Sequence, residues 1–295
     1  MLGYLPFGFL CAAALYPRLR AWAALAVAVA GGALLSILLE AAQTYLPARV
    51  ATNVDVAANA AGALAGAVLA VALGRWLLRR DLLRRMRLAA FAPGAAVDWG
   101  LVVVALWLFV QLNPSALLFS PGDLRDLFAV PPGPPRAPVF FVSIEAMSTA
   151  ANLGAVALLV SLLAAPGLSA RAAFLAVVAC AVAVKCAAFA VARASALAWL
   201  TTGAQEGLLG GLALGWLLIG LPRQWRLVLA IVLLMAGTVL VNLAPANPYL
   251  AATLREWQQG HFLNFNGVTR LAAALWPFLC AAYLVLMASP SPRRN

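Results

Sequence analysis

Glu40 and Gln43 stand at i and i+3 near the end of one apolar run, and Asp55, Asn59, Gly62 and Gly66 follow 4, 3, 4 spacing at the start of the next. On helices each set forms a single stripe. The connecting "LPARVATN" supplies Arg49, a Pro47 that ends the first helix, and Thr52 or Asn53 to cap the second. Two carboxylates, two amides and a guanidinium are thus delivered to one neighbourhood. Such a set can hold the polar part of a ligand, exchange protons as acid and base, or lock two helices by hydrogen bonds with Asp55 favoured by a helix N-terminus. An ionised carboxylate at the centre of a bilayer costs about 2.5 to 3.5 kcal/mol on insertion scales, so these groups must face a bundle interior or a wet cavity.

The elements that position them are read from composition. Of 295 residues, 65% are hydrophobic and 10% charged, with mean hydropathy +0.97, whereas a soluble domain carries roughly 25% charged residues. This composition belongs to an all-α, polytopic transmembrane helix bundle. A hydrocarbon core of about 30 Å needs roughly 20 residues per helix, and apolar runs predict nine spans: 1–17, 21–46, 54–78, 95–119, 139–164, 172–192, 203–221, 227–244 and 269–288. Alternation of basic loops fits that count. Arg18, Arg20, Arg75, Arg79, Arg80, Arg84, Arg85, Arg87, Arg171, Arg223, Arg226, Arg293 and Arg294 fall on one side, against Arg49, Arg125, Arg136, Arg193, Arg255 and Arg270 on the other. The richer side marks the cytoplasm, which sends the N-terminus outward and leaves the C-terminus cytoplasmic. The net charge of +11 then reflects topology and contact with membrane lipids rather than nucleic acid.

Several chemistries are disfavoured. His261 is the one histidine, so no metal site of several His ligands can form and a Ser-His-Asp triad would have to use that loop residue. No Walker A loop, H-E-x-x-H or G-x-S-x-G turn occurs, and no cofactor is expected. Cys11, Cys180, Cys186 and Cys280 lie inside spans and read as packing residues. The segment 120–138, with five prolines in its last eight residues, predicts an extended outer loop. A second outer loop, 244–270, reads as an interfacial anchor or a lid over an outward-facing site.

A shift of 145 residues superposes Gly62 on Gly207, Gly66 on Gly211 and Glu40 on Lys185, which suggests two parallel pseudo-repeats. Glu145, Asn152, Lys185, Arg193 and Glu206 also fall in the outer half or near the middle of their spans, so Lys185 is a supporting candidate cation. The domain organisation follows: 1–80, 95–221 as a degenerate second half, and 222–295 with two C-terminal helices.

"YLPFGFL" at Tyr4 to Leu10, E-x-x-Q at Glu40 and Gln43, Arg49, and D-x-x-x-N-x-x-G-x-x-x-G at Asp55, Asn59, Gly62 and Gly66 resemble the VanZ-like family of bacterial membrane proteins. The resemblance covers about the first 80 residues. It implies an additional helix before "YLPFGFL". The family is named for a protein linked to resistance to the glycopeptide teicoplanin, so the resemblance implies a role in the cell envelope and a multi-pass location in the bacterial inner membrane. The expected function is recognition or handling of a lipid-linked cell-wall precursor or glycopeptide-like molecule at an outer-leaflet site. Glu40, Gln43, Arg49, Asp55 and Asn59 would line it, with Gly62, Gly66, Lys185 and His261 in support. The residues leave open a proton- or solute-coupled transporter, a membrane-embedded hydrolase or transferase, and an envelope scaffold.

Overall fold

Ala, Leu and Val in long runs favour helix, and a segment surrounded by lipid has to satisfy its backbone groups within itself. The computed structural model describes residues 4–16, 18–43, 53–77, 82–113, 118–125, 136–191, 195–245 and 266–289. Helices in chain order are α1 (Tyr4–Leu15), α2 (Ala21–Gln43), α3 (Asn53–Leu77), α4 (Leu82–Ala90), α5 (Ala95–Val110), α6 (Pro138–Leu163), α7 (Ala170–Val191), α8 (Thr202–Leu218), α9 (Arg223–Leu243) and α10 (Asn266–Ala288). No strand occurs among the described residues. Six of these helices are long and apolar enough to cross a membrane: α2, α3, α6, α7, α9 and α10. The other expected spans are shorter, with α1 at 12 residues, α5 at 16 and α8 at 17. α5 stops at Val110 rather than near 119, ahead of Pro114, which disfavours helix at the residue before it. α4, outside the expected spans, is a short amphipathic helix bearing Arg84, Arg85 and Arg87.

The chain divides into two compact units, with the change near residue 88. In the first, α3 packs on both α1 and α2. Helix backbones touch at two glycines. A Cβ on Gly8 would fall 1.9 Å from the Ala63 carbonyl oxygen, and one on Gly66 would fall 1.9 Å from that of Leu5. Side chains larger than hydrogen have no room there, which is the small-residue packing of membrane helices. Buried Ala12, Ala28, Ala67 and Ala70 continue the seam, while Leu34, Leu38, Leu64 and Leu69 are exposed on the outside.

The second unit is built around α6, which is buried along residues 151–160. It packs against α5, α7, α8 and α9. Toward α8 it fits a row of glycines: added Cβ atoms on Gly203, Gly207, Gly211 and Gly215 would lie 2.9, 2.6, 2.8 and 2.6 Å from the Cβ atoms of Glu145, Thr149, Leu153 and Ala157. Each contact advances four residues on both helices, so α6 and α8 run parallel in constant register. Their C-terminal carbonyls are met by arginines. Arg226 Nη1 donates to Ser161 O at 3.1 Å and Arg171 Nε to Trp216 O at 3.2 Å, while Arg223 Nη2 donates to Met287 O of α10 at 3.4 Å. Cations at helix C-termini are electrostatically favoured, so these three arginines bind helix ends as well as flanking spans.

The expected outer loop from Ser120 does not begin as an exposed extended strand. Ser120, Pro121 and Gly122 are buried, and Gly122 has φ +105°, a conformation that favours glycine. Its N–H donates to Ala273 O at 2.8 Å, and Asn242 of α9 grips both sides, Nδ2 donating to Gly122 O at 2.6 Å and Oδ1 accepting from Leu124 N at 2.8 Å. Buried non-helical backbone is tolerated here because protein surrounds it and bonds its polar groups. The proline-rich remainder, 126–135, lies outside the described residues.

Adjacent glycines on α8 give opposite predictions. A Cβ on Gly210 meets nothing closer than Ala150 Cβ at 3.7 Å, whereas one on Gly211 collides with Leu153. In thermal unfolding of detergent-solubilised protein, Gly210→Ala should leave the midpoint unchanged or raise it, by up to about 1 kcal/mol of helix propensity. Gly211→Ala should lower it, by about 1 to 3 kcal/mol of overpacking.

Candidate functional site

α2 and α3 set the first site. A Cβ on Gly32 would lie 2.6 Å from Ala63 Cβ, and one turn on, Asn59 Nδ2 donates to Ser36 Oγ at 3.0 Å. The step from Gly32 to Ser36 on α2 is matched by the step back from Ala63 to Asn59 on α3, so the helices are antiparallel and the register is fixed. Buried Ala28 and Ala67 are the preceding rung. The rung after Ser36 and Asn59 is Glu40 on α2 and Asp55 on α3, both helical positions. The spacing therefore puts the two carboxylate-bearing residues at matched positions, one turn beyond a neutral hydrogen bond.

Among the expected site residues, Asn59 is placed by that bond and Gly62 and Gly66 are buried on the same helix. Glu40, Gln43 and Asp55 are placed by their backbone positions alone. Arg49 and His261 lie outside the described residues. Sequence reasoning passed over Ser36, although it stands four residues before Glu40 on the same stripe and is 1% exposed.

A second polar group occupies the second unit. Glu145 and Lys185, 7% and 1% exposed, attract one another electrostatically. Each has a neutral partner too: Thr201 Oγ1 donates to Glu145 Oε2 at 2.8 Å, and Lys185 Nζ donates to Asn113 O at 2.7 Å. Thr201 is also the N-cap of α8, accepting from Ala204 N at 3.0 Å. Ser120 Oγ donates to Ser148 Oγ at 3.1 Å, Thr149 Oγ1 to Leu118 O at 2.8 Å and Asn152 Nδ2 to Ser148 O at 3.0 Å. Glu145, Asn152 and Lys185 are thereby brought into one unit's interior, whereas Glu206 is exposed and Arg193 lies outside the described residues. Ser148, Thr149 and Thr201 were missed because isolated hydroxyl residues in an apolar run give no spacing signal; Glu145, Ser148, Thr149 and Asn152 at steps of 3, 1 and 3 do form one helical stripe.

Residues 1–77 match the family model described as VanZ/LLP1, which spans α1 to α3. This segment is VanZ-like, and with its apolar helices it makes the chain a multi-pass membrane protein. No curated protein and no solved structure matches the chain.

One ionisable pair outside the spans gives a pH prediction. Burial pushes the Asp123 carboxyl up, but the Arg125 guanidinium beside it, hydrogen-bonded by Nε at 2.9 Å, and the charge of Arg270 outweigh burial and hold it below 3.8. A carboxyl depressed in the folded protein stabilises it above the unfolded value and loses that contribution as pH falls through the folded value. Thermal unfolding scanned from pH 6 downward should show wild type losing stability below about pH 4, and Asp123→Asn should remove that part of the slope while lowering stability at pH 6.

Proposed function

We propose that the VanZ-like segment carries an outer-leaflet site that recognises or handles a lipid-linked or glycopeptide-like molecule of the bacterial cell envelope. The protein would sit in the inner membrane with its N-terminus outside and its C-terminus in the cytoplasm, as the arginine distribution suggests. Glu40, Gln43, Arg49, Asp55 and Asn59 would contact the ligand, acceptors and donors together suiting a polar head rich in hydroxyl and amide groups.

The observation that carries this reading is the register that follows the Ser36–Asn59 bond. If helix locking were the purpose, the neutral bond and the small-residue seam would serve. Those already fix the register without an ionisable group, and an interhelical hydrogen bond in a membrane averages only about 0.6 kcal/mol. Carboxylates at the next rung are therefore a poor lock, and an intramembrane ionisable residue reads first as functional. A parallel pseudo-repeat would fit the same picture: at a shift of 145 residues Gly66, against Leu5, corresponds to Gly211, against Ala150, and the second copy would carry Lys185 in place of Glu40.

Native mass spectrometry of the purified protein with lipid-linked cell-wall precursors and with teicoplanin tests the proposal. Selective adducts on wild type should be lost, by tenfold or more, in Asp55→Asn and Glu40→Gln that keep wild-type unfolding midpoints. Equal binding by wild type and variants, or no selective adduct, would count against the site and leave the carboxylates as part of helix packing.

A further inference from the structure

Five buried polar side-chain atoms of the second unit find no hydrogen-bond partner among the described residues: Arg226 Nε in the first turn of α9, and four others, Trp107 Nε1 on α5, Gln111 Oε1 at its C-cap, Asn152 Oδ1 on α6 and Trp199 Nε1 ahead of α8. The residues of those four others are 0%, 1%, 0% and 6% exposed. Leaving such a group unpaired costs about 1 to 3 kcal/mol, and the cost is borne inside a membrane protein, where lipid offers no partner.

These four lie on segments that also carry one polar network. Gln111 is two residues from Asn113, whose carbonyl receives Lys185. Trp107 packs on Phe119 with ring centroids 5.2 Å apart, next to Ser120 and its bond to Ser148. Asn152 bonds the Ser148 carbonyl. The Trp199 carbonyl accepts from the N–H of Thr201, the residue that bonds Glu145. Two orphaned donors and two orphaned acceptors around hydroxyls and a charged pair match a small neutral molecule that both donates and accepts. Water meets that description, and buried water characteristically makes 2 to 4 bonds to groups of this kind.

We propose that the second unit encloses a hydrated chamber bordered by Trp107, Gln111, Asn152 and Trp199, and that Glu145 exchanges its proton with this internal water. In the exchange the carboxyl O–H gives its proton to a water oxygen, leaving carboxylate and hydronium, and the reverse step restores both. The charged group facing Glu145 is Lys185 of α7. α8 presents Gly203 and the Thr201 cap toward it, with Glu206 exposed; α5 and residues 118–120 contribute neutral groups, and Asp123 is engaged with Arg125 and Arg270. Hydrated carboxylates in this setting are the components of proton relays, a role distinct from ligand handling by the VanZ-like segment.

Two measurements on the full chain in lipid nanodiscs test this. Brief radiolysis in ¹⁸O-water oxidises side chains beside bound water, and Trp276 is an internal control, 0% exposed with its Nε1 donating to Val103 O at 2.8 Å. Trp107 and Trp199 should take up label at least fivefold faster than Trp276; equal protection of all three would overturn the chamber. Infrared difference spectra should then show a carboxylic acid band that grows as pH falls, shifts in D₂O within minutes and is missing from Glu145→Gln. Labelled tryptophans without that band, or a band that Glu145→Gln keeps, would overturn proton exchange at Glu145.

Discussion

Contact between helix backbones, permitted only where a side chain is hydrogen or methyl, is the constraint on which this structure depends. Lipid supplies little hydrophobic force to press apolar helices together, so cohesion comes from close van der Waals approach. Gly8 and Gly66 let α1 meet α3, Gly32 lets α2 meet α3, and four glycines on α8 receive α6. Each contact fixes register as well as distance, and register is what places polar groups several residues away. In the first unit the rung at Gly32 determines that Ser36 meets Asn59; in the second the rung at Gly203 brings the start of α8, capped by Thr201, to Glu145.

The two units use polarity differently. In the VanZ-like segment, a neutral hydrogen bond lies below the level at which Glu40 and Asp55 are matched, so the first charged groups come nearer the helix ends. In the second unit, charge is enclosed: Glu145 and Lys185 are buried among hydroxyls and backbone carbonyls, and the buried segment at Ser120 to Gly122 closes over part of that interior. The glycine seams are similar, but the polar groups set on them differ.

Helical class and membrane character were legible in the sequence because both follow from long apolar runs and few charges. The span count was less so: α1, α5 and α8 are apolar helices of 12, 16 and 17 residues, and α5 ends ahead of Pro114 although the apolar run continues in the sequence. The stripe of Asp55, Asn59, Gly62 and Gly66 was legible because helical spacing puts its members on one face. Its partner Ser36 was not, because pairing between helices depends on register, set at Gly32 by contact with a distant residue. The proline-rich stretch after Ser120 read as surface, whereas its first residues are buried, since Asn242, 120 residues away from Gly122, supplies the hydrogen bonds that make burial possible.

The most direct test of the account is disulfide trapping of the α2 and α3 register, in a background with Cys11, Cys180, Cys186 and Cys280 replaced by Ala. Disulfides form only when Cα atoms come within about 4.4 to 6.8 Å. The antiparallel register predicts that the Glu40→Cys/Asp55→Cys pair cross-links in the membrane under mild oxidation, while Leu38→Cys/Asp55→Cys, whose Leu38 side is exposed at 58%, does not. Equal cross-linking of both pairs, or trapping of the second alone, would contradict the register and with it the convergence of the two carboxylate-bearing positions.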